Sequence, residues 1–327
     1  MVNGEPLFGA AYFRRAARLI QGMRWYLRCA LDNLKGIIPG QSLLRDCKRR
    51  LVPYRACAGR ADATIEEGIQ LINFVRSSRE IDGAACLEVG VGWEPLIPFL
   101  FSLCGARKVY MTDLNRLCSP QTVMSAMEAL RRNQDTIARE LGLDAGALAR
   151  QLSSAPHDMD ELFHRYRLEY LAPCNCASLP LDDHSLDVVY SRAVLEHVPP
   201  AVIERIFVEA RRVLNDSGLM CHFIDPSDHL QHHDRSISRI HFLRFSDTAF
   251  RIVCLNPLNY HNRLRHSEYV RMLKKTGFEI LKEERNIDQP AVVFAKTQKL
   301  APKFRGFPPE DLATVDSFFL AKVAIRS

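Results

Sequence analysis

Short apolar runs alternate with helical patterns along most of the chain. Seven of these runs are typical of buried strands: 85–89, 108–112, 168–171, 186–190, 219–224, 278–283 and 318–325. Apolar residues at helical spacing fill the intervals 94–104, 119–151 and 201–214. Because strands and helices alternate, the strands are expected to lie parallel, with helices on both faces of the sheet. The pattern therefore predicts an α/β fold built on a seven-stranded, mostly parallel sheet.

The segment before this alternating region has a different character. Apolar residues recur every three or four positions from Phe13 to Ile38, with arginines on the other side, which indicates an amphipathic helix. We expect residues 1–80 to form a basic helical extension and residues 81–327 to form one domain. Two long intervals are predicted to be insertions in that domain: the mostly helical 118–167 and the polar 226–266.

The formal net charge of +6 is concentrated at the front of the chain. Residues 1–60 hold 12 Lys or Arg against three acidic residues, whereas residues 61–327 hold 32 basic and 35 acidic ones. A protein that binds nucleic acid with its whole surface is therefore not favoured. A cationic helix within residues 10–50 could contact an anionic membrane surface, and packing on its own domain is the alternative.

Ten cysteines are scattered along the chain without a C-x-x-C pair. Neither a zinc cassette nor a small disulfide scaffold is indicated, and reduced thiols fit a cytosolic protein. No apolar run reaches the ~18 residues that a membrane-spanning helix needs. The start of the sequence also lacks the apolar region of a signal peptide. We therefore expect a cytoplasmic location, with membrane association through the basic extension left open.

Two glycines follow the first predicted strand, in the sequence L-E-V-G-V-G-W (87–93). Glycines at such a turn let the backbone approach a ligand where side chains would block it. Asp113 ends the second predicted strand, about 20 positions after Gly92, which is the spacing expected for a carboxylate that holds ribose hydroxyls. The turn and Asp113 together form a candidate nucleotide site.

Further motifs follow this turn in a fixed order. They are C-A-S-L-P-L (176–181), D-H-S-L-D-V-V-Y-S (183–191), V-L-E-H-V (194–198) and R-R-V-L-N-D-S-G (211–218). Together with the glycine turn and Asp113, this series resembles the class I S-adenosylmethionine (SAM)-dependent methyltransferases over residues 83–225. The resemblance implies a Rossmann-like sheet, SAM as cofactor and transfer of its methyl group.

The resemblance also implies contacts with each part of SAM. The implied residues are Glu88, Gly90, Val91, Gly92 and Ser191 for the methionine part, Asp113 for the ribose, and Cys176 with Ala177 for the adenine. Cys176 departs from the family pattern, which has Asp there, and a thiol cannot accept the adenine amino proton as a carboxylate does. Trp93 stands before the position of a third glycine that this chain lacks, so the wall beside SAM is expected to be bulkier.

The segment after the fifth predicted strand is rich in groups that can move protons. It reads D-P-S-D-H-L-Q-H-H-D (225–234), which places three imidazoles and three carboxylates where ligands bind in open α/β folds. A hydroxyl acceptor must lose a proton, and His is the most common general base. We predict His229, His232 and Asp228 as catalytic residues, with a solvated polar loop as the alternative. A divalent metal is left open there and not predicted, and the resemblance implies only a scaffold role for His197.

Residues 239–266 supply many Arg, His and Asn donors between apolar side chains. Such a mixture suits a polyhydroxylated or anionic acceptor better than a flat apolar one. The sequence therefore predicts O-methylation of a hydroxyl on a sugar-like or glycan-precursor acceptor, with a His general base. The alternatives are methylation of RNA through phosphate contacts at Arg45–Arg50, methylation of another small molecule, and a regulatory module that binds SAM without turnover.

Overall fold

The computed structural model describes residues 24–37, 58–156, 158–256 and 260–324 of the 327-residue chain. The strands of its sheet are β1 Ala85–Val89, β2 Lys108–Thr112, β3 Leu168–Leu171, β4 Leu186–Arg192, β5 Leu214–Ile224, β6 Phe278–Ile287 and β7 Thr314–Val323. Their order across the seven-stranded sheet is β3-β2-β1-β4-β5-β7-β6. β7 runs antiparallel to β5 and β6, and the other neighbouring pairs are parallel. The predicted seven-stranded, mostly parallel sheet is therefore confirmed.

Helices surround this sheet. In chain order they are α1 Trp25–Ile37, α2 Ala58–Arg76, α3 Leu96–Leu103, α4 Pro120–Arg132, α5 Gln134–Leu141, α6 Ala145–Ser153, α7 Met159–Arg165, α8 Pro200–Val213, α9 Asp247–Val253, α10 His266–Lys275, α11 Gln289–Thr297 and α12 Pro309–Leu312. Short 3-10 helices at Leu195–His197, His229–His232, His241–Arg244 and Pro302–Phe304 join some of them.

Each face of the sheet buries its own apolar core. Successive strand residues point to opposite faces, so Cys86 packs with α2, α3 and α4 while Leu87 packs with α8 and α10. Ile65 and Val75 of α2 are fully buried in the first of these cores. This core thus includes α2, which lies within the predicted extension 1–80. The domain boundary at residue 81 stays a prediction.

The helical insertion is divided by local signals rather than continuous. Gly142 ends α5 in the left-handed conformation, with φ 65°, and the Asp144 side chain accepts a hydrogen bond from the Ala147 N–H to begin α6. Three helices therefore occupy 120–153, where one helical interval was predicted.

The last two strands differ in length from the predicted runs. β6 extends to Ile287 and β7 begins at Thr314. Most β6 residues are solvent-exposed because the strand lies at the edge of the sheet. An exposed edge strand needs few apolar residues, so hydropathy marked only its buried beginning.

Helix α1 packs on the domain. The Trp25 N–H donates to Asp234 Oδ2 at 3.0 Å, and Asn33 Nδ2 donates to the Ile252 carbonyl at 2.9 Å. Leu27 and Leu34 lie on its exposed side. The remaining parts of 10–50 lie outside the described residues, so the membrane contact and the cytoplasmic location stay predictions. Among the helices described, none combines the length and apolarity needed to cross a bilayer.

Candidate active site

Two glycines form the turn that follows β1. Both have positive φ, 76° at Gly90 and 69° at Gly92, a conformation that glycine adopts without steric cost. A Cβ on Gly90 would lie 2.7 Å from Cγ2 of Val194, whereas a Cβ on Gly92 would meet nothing within 4 Å. The turn is therefore packed at Gly90 against the segment after β4 and open at Gly92.

Thr112, the last residue of β2, holds this turn in place. Its carbonyl oxygen accepts hydrogen bonds from the N–H groups of Gly90 and Val91, both at 2.9 Å. Its hydroxyl donates to the Glu88 carbonyl at 2.5 Å and lies 3.1 Å from Cys176 Sγ. Thr112 thus links two of the predicted SAM-contact segments, the glycine turn and Cys176. Sequence reasoning missed Thr112, because no motif marks it.

The carboxylate of Asp113 faces the glycine turn. Oδ2 accepts a hydrogen bond from the Gly92 N–H at 3.1 Å, and Oδ1 accepts one from the Asn115 N–H at 3.0 Å. A carboxylate has about four lone-pair sites, so these two bonds leave acceptor capacity for hydroxyl groups. The structure brings together the turn and the carboxylate that were predicted to act jointly.

The side chain of Glu88 is buried at the end of β1. It is 4% exposed, and within the described residues Oε2 has no hydrogen-bond partner. Burial raises the pKa of Glu88 to about 8, while the charge of Arg192 acts to lower it. Arg192 forms an ion pair with Glu67 of α2. A cation approaching Glu88 would therefore favour its ionised form.

The predicted adenine side lies beside the end of β2. Cys176 is buried, and burial raises the pKa of its thiol to about 11, so it stays protonated at neutral pH. The Ala177 N–H donates to Asn175 Oδ1 at 3.0 Å, and the Cys174 N–H donates to the Asp113 carbonyl at 2.8 Å. These bonds fix the loop next to the predicted ribose carboxylate.

The side chain of Ser191 lies in the core. It is fully buried, and its Oγ is 2.7 Å from His222 Nδ1. Phe207 of α8 stacks on the His222 ring, with centroids 5.6 Å apart. Burial lowers the pKa of His222 to about 3. A contact between Ser191 and a ligand at the sheet edge would therefore involve its main chain.

Asp228 fixes the loop that follows β5. Its Oδ1 accepts a hydrogen bond from the Leu230 N–H at 2.9 Å, and its Oδ2 accepts one from the Phe242 N–H at 2.8 Å. The first bond caps the 3-10 helix His229–His232. Burial raises the pKa of Asp228 to about 6. Because both oxygens bind main-chain amides, this side chain holds the two predicted histidines in position.

Four histidines from three segments meet at the carboxyl ends of β4 and β5; we call them the histidine cluster. The ring centroid of His229 lies 5.0 Å from that of His197, 5.2 Å from that of His232 and 4.8 Å from that of His261. Burial lowers the pKa values of His197, His232 and His261. These three imidazoles are therefore neutral at pH 7. The structure brings His229 and His232 together, as predicted.

A cavity of about 150 Å³ lies beside the histidine cluster. Its lining includes His197, His229 and His261 on one side and Arg28 and Asp32 of α1 on the other. Helix α1 therefore completes the wall of this cavity, a role that its amphipathic sequence pattern did not indicate.

The model of a family described as a methyltransferase domain matches residues 125–222. The matched segment contains β3, β4 and most of β5, together with the V-L-E-H motif. Residues 125–222 are therefore similar to a methyltransferase domain. No curated protein matches the chain.

The methyltransferase is also similar to several solved structures at low identity. A SAM-dependent methyltransferase from Mesorhizobium loti is 16% identical, with 79% of this chain and 99% of that chain covered and a TM-score of 0.43. A SAM-dependent methyltransferase from Methanosarcina mazei is 18% identical, with 77% of this chain and 97% of that chain covered and a TM-score of 0.44. A geranyl diphosphate methyltransferase in complex with SAM is 13% identical, with 82% of this chain and 90% of that chain covered and a TM-score of 0.44.

Two histidines of the histidine cluster were not predicted as site residues. His197 belongs to V-L-E-H and was assigned a scaffold role, and His261 was one donor among many in the polar insertion. Asn262 brings the two segments together, since its N–H donates to the Glu196 carbonyl at 2.9 Å and its Nδ2 donates to the Leu195 carbonyl at 2.7 Å. The high His content of the insertion was the available signal, but the pairing depends on this long-range contact.

Proposed function

We propose that this methyltransferase transfers the methyl group of SAM to a hydroxyl oxygen of a polar, sugar-like acceptor. The observation that carries the proposal is the histidine cluster, whose members follow β4 and β5. The glycine turn and Asp113 follow β1 and β2, which are parallel to β4 and β5. Parallel strands bring these carboxyl ends to one edge of the sheet, where ligands bind in open α/β folds.

On the cofactor side, the open space at Gly92 admits a close approach to the backbone. The remaining lone pairs of Asp113 accept hydrogen bonds from the ribose hydroxyls. The segment Cys176–Ala177 lies against the adenine. The methionine part of SAM lies against Gly90, Val91 and the Ser191 main chain, near Glu88. SAM supplies a methyl group on a positively charged sulfur.

On the acceptor side, the reaction needs a group that takes a proton. Transfer forms the O–CH₃ bond and breaks the S–CH₃ bond, whose electron pair stays on sulfur, while the hydroxyl proton must leave. The imidazole of His229 or His232 accepts this proton. Asp228 acts as a positioning residue, because its carboxylate holds their loop through two main-chain amides.

The lining of the cavity supports a polar acceptor. Arg28, Asp32 and His233 contribute charged or polar groups, and Phe242 and Phe250 contribute apolar rings. Ring faces with convergent donors and acceptors suit a compact molecule that carries several hydroxyl groups. We infer that the acceptor is a sugar or a glycan precursor and that α1 forms one wall of its site.

The test is transfer of radiolabelled methyl from SAM to fractions of a cell extract by the full-length protein. We expect label in a polar glycan fraction. His229→Ala combined with His232→Ala should abolish this transfer while the Kd for SAM stays unchanged. His164→Ala is the matched control, because His164 is exposed on α7. Transfer retained by the double variant would remove these histidines from the mechanism, and label in RNA would replace the acceptor class.

A further inference from the structure

Glu196 is buried without compensation beside two histidines. Its side chain is 0% exposed, and over the described residues neither carboxylate oxygen has a hydrogen-bond partner. Burying an ionised carboxylate without a partner is costly, so such a group is protonated, paired or bound to a cation. Glu196, His197 and His229 each offer one ligand atom, and these atoms lie within 4.8 Å of one another. We call these three residues the Glu-His-His cluster.

The hydrogen bond of His197 leaves its other ring nitrogen free to coordinate. His197 Nδ1 lies 2.9 Å from the Tyr260 carbonyl oxygen, which can only accept, so Nδ1 carries the proton and donates. In the neutral ring Nε2 then has an available lone pair. Metal-binding histidines commonly donate the other ring N–H to a carbonyl or carboxylate in this way.

The surroundings of His229 add negative charge. Nε2 of His229 has no hydrogen-bond partner in the described part of the chain, and Asp225 Oδ2 lies 3.3 Å from it outside hydrogen-bond geometry. The Ser227 N–H donates to the other carboxylate oxygen of Asp225 at 3.0 Å. Two carboxyl groups beside two imidazoles give the site oxygen and nitrogen ligands that suit a dication.

His261 differs from the other two histidines. Its Nδ1 accepts a hydrogen bond from the Arg263 N–H at 3.4 Å, so in the neutral ring the proton is on Nε2. Nε2 is then a donor rather than a ligand. His261 and His197 also line the cavity, which leaves an approach for a further ligand.

We propose that Glu196, His197 and His229 bind one divalent first-row transition-metal ion. Two imidazoles and one carboxylate are a donor set of catalytic zinc sites, which keep an open position. Binding of the ion does not depend on the identity of the acceptor. Its catalytic role rests on the proposed function: a cation there stabilises the negative charge that develops as the acceptor hydroxyl loses its proton, and His232 then takes that proton.

The test measures Zn²⁺ in the full-length protein after it has been stripped with a chelator and dialysed. Calorimetry with Zn²⁺ and elemental analysis should give one equivalent more in the wild type than in Glu196→Gln, His197→Ala or His229→Ala. His232→Ala and His164→Ala should keep the wild-type stoichiometry. Zn²⁺ should also raise the Tm of the wild type but not that of Glu196→Gln, because a ligand that binds only the folded state stabilises it.

The variants separate this proposal from the proposed function. Because Gln has nearly the same shape as Glu, Glu196→Gln should fold, and circular dichroism with SAM titration checks this. Equal Zn²⁺ content in the wild type and all three ligand variants would overturn the metal site. Methyl transfer that persists in the stripped protein and is lost in the His229→Ala, His232→Ala double variant would overturn the catalytic role of the metal but support the histidine base.

Discussion

The proposed cofactor side and the proposed acceptor side of the candidate site are built in different ways. On the cofactor side, main-chain groups of Gly90, Val91 and Gly92 bond to Thr112 and Asp113 at the end of the neighbouring strand. On the acceptor side, residues from the segment 228–233 and from α1, together with His197 and His261, line one cavity. A site made of main chain tolerates few residue types and leaves a motif, whereas a site made of distant side chains leaves only a composition.

The largest effect that can break this comparison is expected at Gly90. Gly90→Ala places a side chain on a residue in the left-handed conformation, which costs about 1–2 kcal/mol of folding stability. The added Cβ also overpacks against Val194, which costs about 1–3 kcal/mol more. Gly92→Ala is the matched control, because it has positive φ but no neighbour within 4 Å of the added Cβ. Urea unfolding should show a clearly larger loss of stability for Gly90→Ala, and equal losses would contradict the close packing of the turn.

A smaller loss, in affinity for SAM, is expected at Asp113. Asp113→Ala removes the carboxylate that supports the Gly92 N–H and is proposed to accept the ribose hydroxyls. Hydrogen bonds to a charged group contribute about 1.5–3 kcal/mol, so the Kd for SAM should rise by about 10–100-fold. Leu114→Ala, at an exposed neighbouring residue, should leave it unchanged. An unchanged Kd in Asp113→Ala would remove the ribose assignment.

Ser191 tests whether a residue at the end of β4 contacts SAM through its side chain or only through its main chain. Ser191→Ala leaves the buried His222 Nδ1 without its partner, which should cost about 1–3 kcal/mol of folding stability. The Kd for SAM should stay at its wild-type value, because the hydroxyl points into the core. Pairing Ser191→Ala with His222→Phe should recover part of the stability in denaturant titrations. A loss of SAM affinity without a loss of stability would place the hydroxyl in the cofactor site.

The smallest expected effect is a pH dependence from His222. The unfolded chain protonates this residue below its ordinary pKa of 6.5, and the folded protein does so only near 3, so its contribution to stability falls as the pH decreases. Between pH 6.5 and 5.5 the loss should be about 1 kcal/mol. Urea unfolding at both pH values should show that the wild type loses about 1 kcal/mol more stability over this range than His222→Phe does. An identical pH dependence of the free energy of unfolding in the two proteins would mean that His222 is not held neutral.

The sequence was informative where local patterns set the structure. The seven strands, the glycine turn and Asp113 could be predicted because short apolar runs and motif spacing are local properties of the sequence. The proximity of Glu196 to His261 could not, since 65 positions separate the two and their segments meet through long-range bonds of Asn262 and His197. Asp228 was predicted to be catalytic because it lies beside histidines; its bond to the distant Phe242 N–H could not be predicted from that pattern.

Calorimetric titration of SAM into the wild type and into the His229→Ala, His232→Ala double variant tests the central claim most directly. Cofactor binding is proposed at the glycine turn and Asp113, separate from the histidine cluster. Heat of binding and the same Kd are therefore expected for both proteins. No heat with the folded wild type, or a Kd that rises in the double variant, would contradict it.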